Sequence, residues 1–230
     1  MKLTIIAATG GIGRHLLDQA VDAGHDVTAV VRDPARLPRR GARVRVVTAD
    51  LASADPDVLA SAVAGQDAVL SGLGPRRPRS PDAITSRGTA AVVAAMQATG
   101  VRRLVVVSAA PIATVPSPGR PHPPRHDPGD GFFMRHLGSR LARTLFAAHY
   151  ADLALTEDIV RASGLDWTIS RPPQLTDEPL TGRYRTAYGR NIRGGTKVAR
   201  TDVAHHMLRV LDEPDSIGQT VGIAGRGPRR

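Results

Sequence analysis

The sequence predicts an α/β fold, a doubly wound parallel sheet flanked by helices. Three observations predict it. Short aliphatic runs recur along the chain, helical periodicity fills the intervals between them, and the first run enters a glycine turn, Thr9-Gly10-Gly11-Ile12-Gly13. A strand, a crossover helix and a second strand return the chain to the sheet in the same direction, so the alternation implies parallel pairing. Ligands of such sheets sit beyond the C-terminal ends of the strands.

Leu3 to Ala8 is short and aliphatic, as a strand buried on both faces should be. Ile12, Leu16, Leu17, Ala20 and Val21 recur at helical spacing, and Gly24 stops the helix. His25 to Val31 and Arg43 to Thr48 are the next strands, the latter running into Ala49-Asp50-Leu51. Asp57 to Gly65 reads as helical, and Asp67 to Ser71 as a buried strand ending in Gly72-Leu73-Gly74-Pro75. Pro81 to Thr99 forms a helix that stops at Gly100, and Leu104 to Val107 a strand that ends at Ser108.

Between Pro111 and Gly131 lie seven prolines, three glycines and two histidines. That composition predicts no packed element, only an insertion over the site or a disordered flap. Phe132 to Tyr150 then resumes helical periodicity, a further helix covers about Ala151 to Ser163, and Asp166 to Ser170 is a sixth strand leading into Arg171-Pro172-Pro173. Leu180 to Tyr184 and Thr196 to Val198 are expected to pair as a small extra sheet, Thr201 to cap a helix reaching Leu211, and Thr220 to Ile223 to add a last strand. The chain reads as a single domain over 1–230, with the proline-rich loop 111–131 and a small C-terminal, substrate-side extension over 174–230.

The turn glycines would let backbone N–H groups and a helix N-terminus approach a pyrophosphate. The motif is Ala7-x-x-Gly10-x-x-Gly13, with alanine where a first glycine would stand. Ala7 is therefore expected to remain on the strand with a negative φ. Arg32, 22 positions after Gly10, and Arg36 stand where a ribose 2′-phosphate would lie. An acidic residue there would bind a 2′-hydroxyl, whereas a guanidinium pairs with phosphate, so the reading favours NADPH over NADH. Asp33 is expected to start the Asp33-Pro34 turn.

The composition narrows the chemistry. Without cysteine there are no disulfides, thiolate metal sites or cysteine nucleophiles. His205 and His206 are adjacent on a helix and point about 100° apart, so no metal site is expected. No apolar run approaches the roughly 18 residues of a membrane span, and a cytoplasmic protein is the default expectation. The formal charge of +10 is almost all arginine, Lys2 and Lys197 being the only lysines. Its clusters lack interleaved aromatics, which points to attraction of anionic small molecules rather than to nucleic acid.

Several stretches together resemble a known group: Ala7-Ala8-Thr9-Gly10-Gly11-Ile12-Gly13, Val31-Arg32-Asp33-Pro34-Ala35-Arg36-Leu37, Val63-Ala64-Gly65-Gln66-Asp67-Ala68-Val69, Ser163-Gly164-Leu165-Asp166-Trp167-Thr168 with Arg171-Pro172-Pro173, Pro179-Leu180-Thr181-Gly182, and Asp202 to Leu208. The chain is similar to the atypical short-chain dehydrogenase/reductase proteins with an NAD(P)H-binding, NmrA-like domain. Among them it most resembles the biliverdin-IXβ reductase/flavin reductase type. The resemblance implies a Rossmann-like sheet that binds NADPH, with NADH as the alternative. It implies that Thr9, Gly10, Ile12 and Gly13 hold the pyrophosphate and Arg32 and Arg36 the 2′-phosphate. Asp50 and Leu51 would border the adenine, Leu73, Gly74 and Pro75 the nicotinamide ribose, and Ser108, Pro172 and Pro173 the nicotinamide.

Many of these relatives protonate substrate through a Tyr-x-x-x-Lys pair. Here Tyr150, Tyr184 and Tyr188 are followed four residues on by Ala154, Tyr188 and Ile192, so the pair is absent. The expected chemistry is one needing little acid catalysis, with NADPH reducing a planar conjugated substrate such as a flavin, a tetrapyrrole or a quinone-like ring. Ser108 is the candidate to orient nicotinamide or substrate, and Tyr150 the candidate to line the pocket. Gln174 stands where reductase-like relatives can carry a histidine after the double proline. The alternative is a non-catalytic NAD(P)(H) sensor of the nitrogen-metabolite-repression type. A roomy apolar cleft beside the nicotinamide would favour the reductase and a filled one the sensor. Monomer and dimer both stay open.

Overall fold

The computed structural model describes residues 1–37, 41–75, 83–129 and 147–226. Among the described residues eight strands form one sheet, and five helices flank it. In chain order the elements are β1 (Lys2–Ile6), α1 (Gly13–Asp22), β2 (Asp26–Val31), β3 (Val44–Thr48), α2 (Pro56–Val63), β4 (Ala68–Ser71), α3 (Ile84–Thr99) and β5 (Arg103–Val107). They continue with α4 (Ala147–Ala162), β6 (Asp166–Arg171), β7 (Gln174–Thr176), β8 (Tyr184–Tyr188), β9 (Lys197–Ala199), α5 (Arg200–Arg209) and β10 (Gln219–Gly225). The strand order is β3-β2-β1-β4-β5-β6-β10-β8, parallel throughout except for the antiparallel β10–β8 pair. The order reverses between β1 and β4, which opens a crevice at their C-terminal ends. This is the Rossmann-like architecture that the alternation predicts.

Alternation along the strands divides the core into two layers. Leu3, Ile5, Val27, Ala29 and Val105 pack with Leu16, Leu17 and Ala20 of α1 and Val203, Ala204 and Met207 of α5. On the other face Ile6, Val30, Val69, Leu104 and Ile169 meet Leu59 and Val63 of α2, Val92 and Met96 of α3 and Val160 of α4. Each fully buried Leu, Ile or Met contributes about 1.5–3 kcal/mol, so the two layers supply the main favourable term. Thr4 is one of the buried polar residues of the sheet, and its hydroxyl donates to the Ala62 carbonyl at 2.6 Å.

The C-terminal third differs from expectation in four places. Leu180 to Tyr184 does not pair with Thr196 to Val198. The second sheet is instead β7 with β9, in parallel, while β8 pairs with β10. The reason lies in Asp202, whose carboxylate accepts from the Thr181 and Gly182 amides, both at 2.9 Å, and from the Thr181 hydroxyl at 2.7 Å. Those backbone donors are satisfied without a strand partner. Thr201 does not cap α5: the helix begins at Arg200, its N-cap position is Ala199, and the Thr201 hydroxyl donates to the Glu178 carbonyl at 2.9 Å. The helix ends at Arg209, and a 3-10 turn covers Val210–Asp212.

Nor is there a break between Tyr150 and Ala151, because α4 runs continuously through them. The preceding 132–146 lie outside the described residues, as do 81 and 82 ahead of α3. Finally, the proline-rich segment does build a packed element. A 3-10 turn over Ala110–Thr114 buries Ile112 completely against Leu153 and Ala154 of α4. Further along, the buried Asp127 carboxylate accepts from the Gly129 amide at 2.7 Å and the Asn191 amide at 2.8 Å. A few apolar and carboxylate anchors are enough to seat a segment whose average composition argues for a loose loop.

Candidate functional site

The crevice begins at the turn between β1 and α1. β1 ends at Ile6, one step before Ala7, and Ala7 takes φ +58° rather than the negative value expected of a strand residue. Its carbonyl accepts from the Gly10 amide at 2.8 Å, closing the turn. A Cβ on Gly13 would lie 2.0 Å from that same carbonyl oxygen, and one on Gly72 would lie 2.8 Å from the Gly13 nitrogen. Only glycine lets strand, helix and the β4 end approach this closely. The first turn of α1 has neither a side-chain cap nor an acidic residue. Its positive end is therefore left for an anion. The cradle fits a dinucleotide pyrophosphate.

Two cavities open along this crevice. The first, about 290 Å³, is lined by Thr9, Gly10, Arg32, Arg36, Asp50 and Leu51 among others. Arg32 and Arg36 are exposed and make no ion pair among the described residues. Asp33 starts the turn as expected, its carboxylate accepting from the Ala35 amide at 3.0 Å. Its geometry there is that of a 3-10 cap, and the guanidiniums beside it are left to bind an anion. Asp50 makes the same kind of turn with the Ala52 amide at 3.0 Å.

The second cavity, about 300 Å³, shares Gly11, Leu73 and Gly74 with the first and extends over the ends of β5 and β6. Ile12, Pro75, Ser108, Pro172 and Pro173 all line it. His149 and Arg200 line it too, without any signal in the sequence pattern. His149 reads as one more position of a helix, and Arg200 gains its place only through the fold-back of α5. The Arg200 guanidinium stem passes beside Gly11, where an added Cβ would meet Nε at 3.0 Å. Its Nη1 pairs with Asp177 at 2.8 Å, which Arg14 also approaches at 3.7 Å. Tyr150 is not among the lining residues. It packs beside Ile112 and Leu153, and burial raises its phenol pKa.

Beneath the second cavity lies a buried charged group. Ser108 donates its hydroxyl proton to Glu157 Oε1 at 2.7 Å. Arg171, 5 % exposed, donates Nε to the same oxygen at 2.8 Å and Nη2 to Oε2, and Arg161 donates to Oε2 at 2.7 Å. Burial alone would raise the Glu157 pKa; the hydrogen bonds and charge of Arg171, the charge of Arg161 and the Ser108 hydroxyl outweigh it and hold the carboxyl below its ordinary range. The serine oxygen is thereby fixed in orientation, with its lone pairs left to accept from a ligand.

A family profile described as NAD(P)H-binding matches residues 7–214. The chain belongs to the NAD(P)H-binding family. It is 28 % identical over 221 residues, 94 % of this chain and 90 % of the relative, to a protein of Bacillus subtilis (strain 168) named as an uncharacterized sugar epimerase, YhfK. Among solved structures it is similar to a wide-type short-chain dehydrogenase/reductase of Veillonella parvula DSM 2008 in complex with NADP. That match has a TM-score of 0.78 and 19 % identity and covers all of this chain and 96 % of the other. It is also similar to ChuY, an anaerobillin reductase of Escherichia coli O157:H7, with a TM-score of 0.75, 22 % identity and complete coverage of both chains. At these identities the two structures attest the fold. The matching family establishes NAD(P)H as the cofactor class. No helix among the described residues is long and apolar enough to cross a membrane.

Proposed function

We propose that the protein is an NADPH-dependent reductase of a planar conjugated substrate, a flavin, tetrapyrrole or quinone-like ring. The observation that carries this reading is the second cavity. Its roughly 300 Å³ are walled by Val107, Leu153, Leu175, Pro172 and Pro173, with Ser108, His149 and Arg200 as its polar side chains. Apolar walls with a small number of oriented polar atoms are the usual form of a site for a flat ring.

When bound, reduced nicotinamide would supply a hydride. The chain supplies position and exclusion of water. The uncapped start of α1 and the Gly10–Gly13 turn would hold the pyrophosphate, and Arg32 and Arg36 would face a 2′-phosphate. Ser108, its proton held by Glu157, would accept from the nicotinamide amide and so fix which ring face points into the slot. The anaerobillin reductase named for ChuY supports a tetrapyrrole as one member of the substrate class.

The test is NADPH oxidation, followed by loss of nicotinamide absorbance, against a panel of FMN, FAD, biliverdin and quinones. Turnover with at least one is expected; tight NADPH binding with no turnover would overturn the reductase in favour of the sensor. Cofactor preference has its own check. Arg32→Ala should weaken NADPH binding about tenfold or more, the worth of one charge-assisted hydrogen bond, and leave NADH binding nearly unchanged in calorimetric titration. Equal losses would mean that the arginine meets no 2′-phosphate.

A further inference from the structure

Hydride addition to a conjugated ring leaves an electron pair that a proton must quench. The described residues around the second cavity are mostly glycine, alanine, proline and aliphatic. Those with an exchangeable side-chain proton are Ser108, His149 and Arg200. Ser108 has committed its proton to Glu157. Arg200 is ion-paired with Asp177, and a guanidinium does not release a proton near neutrality. His149 is left. Its ring lines the cavity, and its buried Nδ1 has no hydrogen-bond partner among the described residues, an omission that costs about 1–3 kcal/mol.

We propose that His149 is the proton donor of the reduction, an assignment that rests on the reductase reading above. When bound, the reduced nicotinamide dinucleotide would supply the two electrons and one hydrogen nucleus that an electron-poor atom of the ring takes up. The imidazolium N–H bond breaks and its proton passes to the ring heteroatom that has gained the electron pair. The substrate is thereby reduced by two electrons, the nicotinamide is oxidised, and neutral His149 regains a proton from solvent. An imidazole titrates near neutrality without help from a neighbouring cation, so no lysine is needed to activate His149, which accounts for reduction without a Tyr-x-x-x-Lys pair.

Burial sets the direction of its titration. Burial lowers the His149 pKa from the ordinary 6.5, and Asp152 on the same helix opposes this only in part. The Asp152 carboxylate is engaged by the Thr85 and Ser86 amides of α3 at 3.0 and 2.9 Å. From the facing elements come Arg200 of α5 and the Ser108–Glu157–Arg171 group at the ends of β5 and β6. A lowered pKa means that the acid form is populated only below 6.5, so kcat should rise as pH falls through that region.

The experiment combines kinetics with a titration that needs no turnover. His149→Gln, with His149→Asn as a second variant should the first fail to fold, is expected to bind NADPH as tightly as the parent. It should lose about a hundredfold in kcat and lose the acidic rise of the pH profile. By imidazole NMR on the cofactor-free protein, the signal missing from His149→Gln should titrate below 6.5 and move on addition of FMN. Parent turnover with an unchanged variant rate and profile would overturn the role of His149 and leave the reductase standing. Absence of turnover in the parent would remove the reductase reading and this one with it. An imidazole that titrates at its ordinary value and ignores FMN would place His149 in solvent and overturn the proposal by itself.

Discussion

Ala7 holds a left-handed backbone at φ +58°, a conformation that costs a residue bearing a Cβ about 1–2 kcal/mol. The position is kept because its carbonyl both closes the turn to Gly10 and defines the floor on which Gly13 packs. Ala7→Gly relieves the strain and gives back part of the gain to the freer unfolded chain, so a net stabilisation of about 0.5–1 kcal/mol is expected in denaturant unfolding. No gain would mean that the alanine methyl repays its strain in packing. The spacing Ala7-x-x-Gly10-x-x-Gly13 announces the turn plainly. The sign of φ was not legible, because it depends on whether the strand ends one residue earlier or later, and an aliphatic run does not mark that boundary.

Among the elements, β5, β6 and α4 are tied together by the carboxylate of Glu157 rather than by apolar contact alone. It joins Ser108 at the end of one strand, Arg171 at the end of the next and Arg161 one helical turn away. Glu157→Gln keeps the shape but leaves the buried Arg171 charge without its counter-ion. A loss of about 3–5 kcal/mol is expected in urea unfolding, with weaker ordering of the nicotinamide end. A loss under about 1 kcal/mol would show that the pair is hydrated and loosely held. The strands and helices that carry these residues are readable from periodicity, and so is Ser108 as a strand end. The pairing is not, since 49 residues separate Ser108 from Glu157 and no local pattern couples them. The same holds for β8 and β9, whose partners were decided by what Asp202 had already satisfied.

At the scale of the whole molecule, two buried groups set how stability responds to acid. His206 on α5 is 3 % exposed, its Nε2 has no partner, and burial, with Arg209 and His205 nearby, lowers its pKa to about 4. The unfolded chain would take up this proton near 6.5, so the folded state loses stability as pH falls from 6.5 towards 4. The loss should be about 2 kcal/mol between pH 7 and pH 5. Glu157, held below its ordinary value, adds a contribution that is present above about 4.5 and lost as pH falls through its folded pKa. Urea midpoints should therefore decline steadily on acidification, and His206→Leu should flatten the decline above pH 5. An unchanged slope in that variant would assign it elsewhere. The fold-back of α5 onto the first turn has a temporal side as well. Arg200 lies against Gly11, and Gln19 donates to the Thr201 carbonyl at 3.0 Å, a contact 182 positions apart. During synthesis the dinucleotide cradle emerges well before the α5 segment that walls it. A ligand held against that wall therefore belongs to a molecule in which α5 has already folded back onto the first turn.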